Sequence, residues 1–431
     1  MSSLQLFVTA SAVGALAYLA VVSLTTVMAA LRAGGRREDA LDSSDALAAS
    51  PLTMPVSIVI PVGSSPDATR TIEQVLDLAY PEFEVIAIVD AGRPGTDALI
   101  GEWQLESREF FYRRTLDTAP VLRIFRSLRD ARLMVVEKRP DRRSDALNCG
   151  VNLARYRFVA VVPPGLTFDR DALLRVMSPA LRDPVSVVGV GSHVERIPAA
   201  GVPVDRTAKF QRLRSIRALM FSRLFWGRLA KGLGPDGGVN IWQRDAVLQA
   251  HGFSKTALDA DLDMMFRLQQ PRDGERRRFV HSEDTFGHAS TLTRAQLRAA
   301  ARRRQRTALQ TIATWGSGAG SAIGPRSFAH FLESELVTPL AQLWIVLAMV
   351  LAAAAGWLTW TMAVLSVLLL SFGTAAVTAV ALLLRGAHPL APRHDEVRAL
   401  LLLAPLEILL HRPFHIWSRL AGVFGPGSER P

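Results

Sequence analysis

The chain has little cysteine and few aromatic residues. Its single cysteine, Cys149, excludes an internal disulfide bond and fits a reducing cytosol. Aromatic residues make up only 7% of the 431 residues. Single-stranded nucleic acids are bound by basic grooves lined with aromatic platforms. The arginines here are spread along the chain and form no recognisable binding module, so we do not expect a nucleic-acid partner.

Acidic residues are the minority charge. There are 39 Asp and Glu against 50 Lys and Arg, which gives a net charge of +11, while 49% of the residues are hydrophobic. This composition is too apolar for an ordinary soluble protein and too charged for a chain that lies wholly in lipid. We therefore expect membrane segments joined to a soluble domain, with lipid head groups or a diphosphate as the anionic partners.

Charge is absent from residues 4–31, a run longer than the ~20 residues that cross a bilayer core. No basic residue precedes the run, and it is too long for the apolar part of a signal peptide, so we expect an anchor rather than a cleaved signal. Arg32, Arg36 and Arg37 follow directly. By the positive-inside rule, the bulk of the chain is expected in the cytosol.

Two further uncharged runs, residues 337–355 and 357–384, are separated only by Gly356 and predict a helical hairpin. A third stretch, residues 399–410, is short and contains Pro405 and Glu407, which favours an interfacial or re-entrant helix. We expect three spans, with a fourth left open, in a multi-pass protein of the inner cell membrane.

Short apolar strands alternate with helical patterns in the middle of the chain. The predicted strands cover residues 56–60, 83–90, 133–136 and 158–162, and the predicted helices cover residues 70–79 and 144–154. This alternation predicts an α/β domain with a parallel sheet covered on both faces. Ligands of such sheets bind beyond the carboxyl ends of the strands, which is where Pro61, Asp90 and Pro163 lie.

These patterns divide the chain into six parts. They are an N-terminal transmembrane helix (1–31), a linker (32–55), a cytosolic α/β domain (56–290), basic amphipathic interface helices (291–336), a transmembrane hairpin (337–384), and an interfacial or third C-terminal membrane helix with a tail (385–431).

A series of motifs runs through the α/β domain. It comprises an opening strand (56–61), a second strand that ends in Asp90 (80–90), Arg-Ser-Asp-Ala-Leu-Asn (143–148), Asp-Gly-Gly to Gly-Phe (236–253) and Ala-Asp-Leu-Asp-Met (260–264). In order and spacing this series resembles the membrane-bound family-2 glycosyltransferases, which include cellulose, chitin, hyaluronan and poly-N-acetylglucosamine synthases. The resemblance covers about residues 56 to 310 and implies a GT-A fold flanked by transmembrane helices.

The resemblance implies transfer of a sugar from a nucleotide-sugar to a polysaccharide or lipid-linked acceptor. It implies that Asp261 is the catalytic base. It assigns a further set of residues to the donor and acceptor sides: Pro61, Asp90, Arg143, Asp145 and Asn148 for the nucleotide-sugar, and Gly237, Gly238 and Arg303 for the acceptor.

Simpler interpretations of two of these aspartates stand beside the resemblance. Asp90 follows a buried strand, where aspartate often serves only a turn or a helix cap. Asp261 lies between Asp259 and Asp263, and all three suit the N-terminal turn of a helix because of the helix dipole.

The metal-binding motif of the family is missing. Where the family has Asp-x-Asp, this chain has Pro163, Pro164 and Gly165, none of which offers a side-chain ligand to a hard cation. A Mg²⁺ or Mn²⁺ cofactor is therefore in doubt, and no metal ligands are assigned. Asp169 and Asp171 are near in sequence, but we expect them to cap the next helix.

The acceptor-side motif Gln-x-x-Arg-Trp is also eroded. It falls on residues 300–304, where only Arg303 matches and Arg304 replaces the tryptophan. Ala260 replaces the glutamate that precedes the base. These losses leave two hypotheses: an active glycosyltransferase, which we favour, or an inactive relative that serves as a binding or accessory subunit of a synthase complex.

Arginines offer one way to keep an active site without metal. Arg142, Arg143 and the run 302–304 could neutralise a diphosphate, because guanidinium binds phosphate in a bidentate manner. The alternative for the run 298–306 is a basic amphipathic helix that lies on anionic lipid, and this is the interpretation we favour.

Overall fold

A computed structural model of the chain describes residues 3–34, 53–63, 65–92, 99, 101–198, 205–224, 238–270, 277–316, 325–385 and 394–424. A mixed sheet forms the centre of this described part. Its strands are β1 (Val56–Gly63), β2 (Phe83–Asp90), β3 (Leu105–Ser107), β4 (Val121–Ser127), β5 (Leu133–Lys138), β6 (Phe158–Val161), β7 (Leu166–Thr167), β8 (Val187–Ile197), β9 (Asn240–Gln243) and β10 (Arg278–Ser290).

The four predicted strands are all present and lie side by side. In the order β3-β4-β5-β2-β1-β6-β9-β8-β10-β7, the central strands β5, β2, β1 and β6 pair in parallel. The expected α/β fold with a central sheet is confirmed. The sheet is not parallel throughout, because β4 pairs antiparallel with β5 on one side and β9 pairs antiparallel with β6 on the other.

Helices cover both faces of the sheet. They are α2 (Ala68–Leu76), α3 (Arg143–Leu153), α4 (Ala172–Arg182), α5 (Arg206–Leu224), α6 (Arg244–Gln249) and α7 (Ala260–Leu268). Successive side chains of a strand point to opposite faces. Ile58 and Ile60 of β1 accordingly pack in the core with α2 and α4, whereas Val59 packs in the core with α3, α6 and α7.

Helix α3 lies unusually close to the sheet at one glycine. A Cβ on Gly150 would lie 2.4 Å from a methyl carbon of Val59, so only glycine allows this approach. The close packing fixes the first turn of α3 beside the carboxyl ends of β5 and β2, and the candidate site is built there.

Three described helices are long and apolar enough to cross a membrane: Ser3–Thr25, Glu333–Ala354 and Trp360–Leu382. They belong to α1 (Ser3–Gly34), to a π-helix (Glu333–Val337) continued by α10 (Thr338–Ala354), and to α11 (Trp360–Arg385). Helix α1 packs against α10 and α11, and its Tyr18 hydroxyl donates a 2.6 Å hydrogen bond to Glu333.

The remaining described helices join this group to the α/β domain. They are α8 (Arg294–Trp315), α9 (Pro325–Leu332), α12 (His394–Leu403), a 3₁₀ turn (Ala404–Leu406) and α13 (Glu407–Phe424). Helix α8 runs along α13. The segments Asp395–Leu406 and Leu409–Val423 meet at 63° and would make a fourth span only as one broken helix.

Candidate active site

The ends of two neighbouring strands carry opposite charges. Asp90 is the last residue of β2 and lies in register with Lys138, the last residue of β5. The ammonium nitrogen of Lys138 is 3.8 Å from an oxygen of Asp90 and 2.8 Å from Oδ2 of Asp145, in the first turn of α3. The side chains of Lys138 and Asp145 are fully buried.

The other oxygen of Asp145 binds the loop above the sheet. It accepts a 2.9 Å hydrogen bond from the backbone N–H of Ala119 and lies 3.2 Å from the ammonium group of Lys255. Burial opposes ionisation, but the hydrogen bond and charge of Lys138 outweigh it, so the pKa of Asp145 is held below its usual value. Asp145 therefore holds the site together as a carboxylate and presents no surface to a ligand.

Two asparagines one turn apart on α3 clamp two loops. Asn148 donates to the carbonyl of Phe253 (3.0 Å) and accepts from its N–H (2.7 Å), while Asn152 makes the same paired contacts with Leu116 (2.9 Å each). The turn at Gly252 has a φ of +74°, and a Cβ there would lie 2.5 Å from the Asn148 amide oxygen. The buried Asn148 thus shapes the wall of the site by binding backbone.

Arg143 and Asp261 meet at the helix starts of α3 and α7. Arg143 donates from Nη1 to Oδ2 of Asp261 over 2.9 Å. The second oxygen of Asp261, Oδ1, is buried and has no hydrogen-bond partner among the described residues. A carboxylate oxygen with unused lone pairs is what a general base requires.

The two neighbouring aspartates have other tasks. Asp259 caps α7 by accepting from the N–H of Leu262 (3.0 Å), and Asp263 pairs with Arg267 at 2.8 Å. Loss of solvent and the nearby charge of Asp261 raise the pKa of Asp259. The interpretation as helix N-terminal charges therefore accounts for Asp259 directly, whereas Asp261 is turned toward Arg143.

Pro61 and the acceptor-side glycines contribute backbone shape. Pro61 is buried within β1, opposite Ile88 of β2. A Cβ on Gly238 would lie 1.6 Å from the carbonyl oxygen of Ser192, so the strand β8 and the segment that leads to β9 touch there. Gly237 lies outside the described residues.

The structure does not bring the eroded acceptor motif to Asp261. Arg303 is exposed on α8, and among the residues described it makes no hydrogen bond or ion pair with the site. Arg304 turns away to Glu335 of the π-helix, 2.6 Å from its Nη2. It is instead Gln310 of α8 that reaches the site wall, through hydrogen bonds to the backbone of Thr256 (2.9 Å) and Leu258 (2.8 Å).

The loop that replaces the metal motif does not fit a divalent cation. Gly165, with a φ of +85°, donates its N–H to the hydroxyl of Thr71 over 3.0 Å, so the turn is fastened to α2. Asp169 and Asp171 both pair with Arg175, a partner that leaves little reason for a cation to bind there. No step below is routed through a metal.

Several site residues were not predicted: Lys138, Lys255, Asp117 and Asn152. Lys255 joins the group by pairing with Asp117 at 3.3 Å as well as with Asp145. The spacing of Asn148 and Asn152 on one face of a helix, and a lysine that ends the strand beside Asp90, were available signals. Lys255 and Asp117 lie in loops, where no periodicity marks them.

Comparison with protein-family models finds no match, and comparison with curated proteins finds none either. Solved structures similar to the chain include a mannosyltransferase, PcManGT, from Pyrobaculum calidifontis in complex with GDP-Man and Mn²⁺ (17% identity, TM-score 0.49, covering 91% of this chain and 99% of that one). They also include S. aureus TarS 1–349 in complex with UDP (11% identity, TM-score 0.35, 86% and 92%) and with UDP-GlcNAc (12% identity, TM-score 0.36, 86% and 90%). Identities and TM-scores this low leave the activity of this chain to be inferred from its own residues.

Proposed function

We propose that the chain is a membrane-bound glycosyltransferase of the GT-A type that transfers a sugar from a nucleotide-sugar to a polysaccharide or lipid-linked acceptor. The observation that carries this proposal is the carboxylate of Asp261. One of its oxygens is bound by Arg143, and the other is buried beside the carboxyl edge of the sheet without a hydrogen-bond partner among the described residues.

The donor would bind at the carboxyl ends of β2 and β5. Asp90 is the partly open group there, at 12% side-chain exposure, and is the residue we assign to the base or ribose of the nucleotide. Three cationic side chains lie around the start of α3, namely those of Arg142, Arg143 and Lys255. Together with the N-terminal dipole of α3 they would balance a diphosphate.

The chemistry then follows from the position of Asp261. Its Oδ1 takes the proton of the acceptor hydroxyl as the acceptor oxygen forms a bond to the anomeric carbon. The bond between that carbon and the phosphate oxygen breaks, and the nucleoside diphosphate leaves with the electron pair. The cations at the start of α3 stabilise its developing charge. In-line alignment of acceptor and donor supplies much of the remaining rate.

We place this domain on the cytosolic side of the inner membrane, with α1, α10 and α11 as spans. Three helices of sufficient length and apolarity, and basic residues on the domain side of α1 and α11, support this topology. The six-part division given above is the domain organisation we propose.

A second candidate is a binding subunit without transfer activity. The arrangement at Asp261 favours it in one respect, because Arg143 already occupies one oxygen of the base. Ala260 and Arg304, in place of the glutamate and the tryptophan of the family, point the same way. Such a subunit would bind nucleotide or an active synthase partner and release no product.

Calorimetry on the purified full chain in detergent tests the shared part of both candidates. UDP and GDP are titrated with and without Mn²⁺, and we expect binding of at least one of them that does not require the metal. The Asp90→Ala variant should bind it more weakly, while Asp169→Asn, whose carboxylate pairs with Arg175, should bind like the unaltered chain. Absence of binding for both nucleotides under both conditions would remove the enzyme proposal.

A further inference from the structure

Helix α5 fastens the α/β domain to the helices that we assign to the membrane. Apolar side chains of α5 pack with α11, α12 and the 3₁₀ turn in one cluster: Phe210, Leu213, Ile216, Ala381, Leu382, Leu400 and Ala404. The helix is inserted between β8 and β9 of the sheet. It therefore carries its arginines to the boundary between domain and membrane.

The first group of charges at this boundary centres on Glu407. Its side chain is 3% exposed and accepts a hydrogen bond from Arg217 of α5, and the guanidinium of Arg412 lies 3.7 Å away. Arg217 also donates to the hydroxyl of Thr378 over 2.9 Å, within the third apolar span. One carboxylate thus serves two guanidinium groups.

A second group repeats this pattern around Glu335 in the π-helix. Its side chain is 2% exposed and lies 2.6 Å from Arg304 and 2.9 Å from Arg419. Arg419 also donates to the amide oxygen of Gln305 over 2.8 Å. Short π-helical segments occur often at functional sites. Each trio of two arginines and one glutamate carries one more positive than negative charge.

Two histidines of α13 join the trios. The ring of His411 stacks on Phe210 of α5 at 5.4 Å and lies 6.3 Å from the ring of His415. His415 contacts Arg214 of α5 through its Nε2 atom. The residue His411 is 7% exposed, and its Nε2 has no hydrogen-bond partner in the described part of the chain. We call this set, Arg217, Arg304, Glu335, Glu407, His411, Arg412 and Arg419, the arginine cluster.

The location and the charge of the arginine cluster point to one class of ligand. Glu335 begins the second apolar span and Thr378 lies near the end of the third, so both mark the boundary that faces the α/β domain. Buried positive charge in excess of its counter-charges is costly, and an anion at that place would offset the cost. Basic pockets between spans on the cytoplasmic side bind lipid head groups, and arginine suits phosphate.

We propose that the arginine cluster binds the phosphate group of an anionic membrane lipid. The excess of arginine over glutamate, the unpartnered His411 ring and the place at the membrane boundary carry this assignment. Binding there requires no transfer of a sugar, and so it is independent of the chemistry proposed for Asp261.

The test uses the full chain, delipidated in detergent, with dioleoyl phosphatidic acid as the probe and native mass spectrometry as the readout. We expect phosphatidic acid to bind about tenfold more tightly than dioleoyl phosphatidylcholine. Arg412→Gln should lose most of this preference, and Arg412→Lys should keep it. Arg398→Gln makes the same charge change at an exposed position of α12 and serves as the control.

A variant of opposite sign separates a phosphate site from a purely structural one. Glu407→Gln raises the positive excess, so it should bind phosphatidic acid at least as tightly as the unaltered chain, with size-exclusion elution as the check of folding. Equal binding of the two lipids would overturn the proposal, and so would an Arg412→Gln variant that behaves like Arg398→Gln. Competition by inorganic phosphate at the affinity of phosphatidic acid would contradict a lipid as the ligand.

Discussion

Arg143 and Asp261 lie 118 residues apart in the chain and 2.9 Å apart in the structure. Each starts a helix, α3 in one case and α7 in the other, and their ion pair joins the two halves of the candidate site. The guanidinium is 45% exposed while the carboxylate is 17% exposed, so the cation is the more accessible partner. A diphosphate could therefore reach Arg143 before an acceptor reaches Asp261.

The Arg143→Gln variant should bind nucleoside diphosphate less tightly. A charged hydrogen bond to phosphate contributes about 1.5–3 kcal/mol, so we expect the dissociation constant to rise by about tenfold or more. Calorimetry with UDP and GDP measures it. Arg139→Gln, which removes the same charge from an exposed side chain nearby, should leave the affinity unchanged. Equal affinities of the two variants would mean that Arg143 does not contact the donor.

Removal of the Asp145 carboxylate should destabilise the domain. Asp145→Asn leaves the fully buried ammonium group of Lys138 without its nearest counter-charge, 2.8 Å away. Breaking a buried pair on one side costs about 3–5 kcal/mol, so the Tm in detergent should fall by several degrees. An unchanged Tm would show that the Lys138 charge has another compensating partner.

The same carboxylate predicts how stability depends on pH. The folded-state pKa of Asp145 is lowered, so its contribution is complete above the unfolded pKa of about 4 and is lost as the pH falls through the lower folded value. The unfolding free energy should therefore decrease as the pH drops below about 4, and part of that decrease should be missing in Asp145→Asn. Parallel pH profiles for the two chains would contradict this contribution.

Gly238→Ala should disturb the acceptor side of the domain. The new Cβ would lie 1.6 Å from the carbonyl oxygen of Ser192, a backbone atom, so β8 and the chain before β9 would have to separate. We expect a fall in Tm and a loss of transfer that exceeds any loss of nucleotide binding. Gly101→Ala meets no atom within 4 Å and is the matched control. Wild-type behaviour of Gly238→Ala would show that the contact with β8 is dispensable.

Cys149 should report on folding rather than on chemistry. It is fully buried in α3, and burial raises the pKa of its thiol to about 12, so the reactive thiolate is almost absent at neutral pH. Alkylation by a maleimide should be negligible in the native chain and complete in denaturant. Mass spectrometry gives the modified fraction. Fast labelling of the native chain would mean that α3 opens readily from β1.

The parallel centre of the sheet follows from the sequence because its strands are buried on both faces. Residues 83–90, for example, form an unbroken apolar run that ends in Asp90, and the structure ends β2 there. The flanking strands are harder to predict. β3 has three residues and β7 has two, so neither is long enough to show an alternating pattern.

The candidate site was predicted in its backbone but not in its bonding. Asp145 and Asn148 were assigned to the nucleotide-sugar, whereas both are buried and hold protein groups: Asp145 binds lysines and Asn148 binds Phe253. Arg304 was weighed as a phosphate or lipid ligand and is paired with Glu335. Pairings between residues so far apart in the chain leave no periodic signal in the sequence.

Turnover by Asp261→Asn tests the central claim most directly. The unaltered chain, in detergent or nanodiscs, is screened against UDP- and GDP-sugars for release of nucleoside diphosphate. The variant is then measured with the active donor. If Asp261 is the base, turnover should fall by about 10²–10⁴-fold while nucleotide affinity stays within a few-fold of the original. Turnover that survives Asp261→Asn, in a variant that still binds nucleotide, would contradict the assignment.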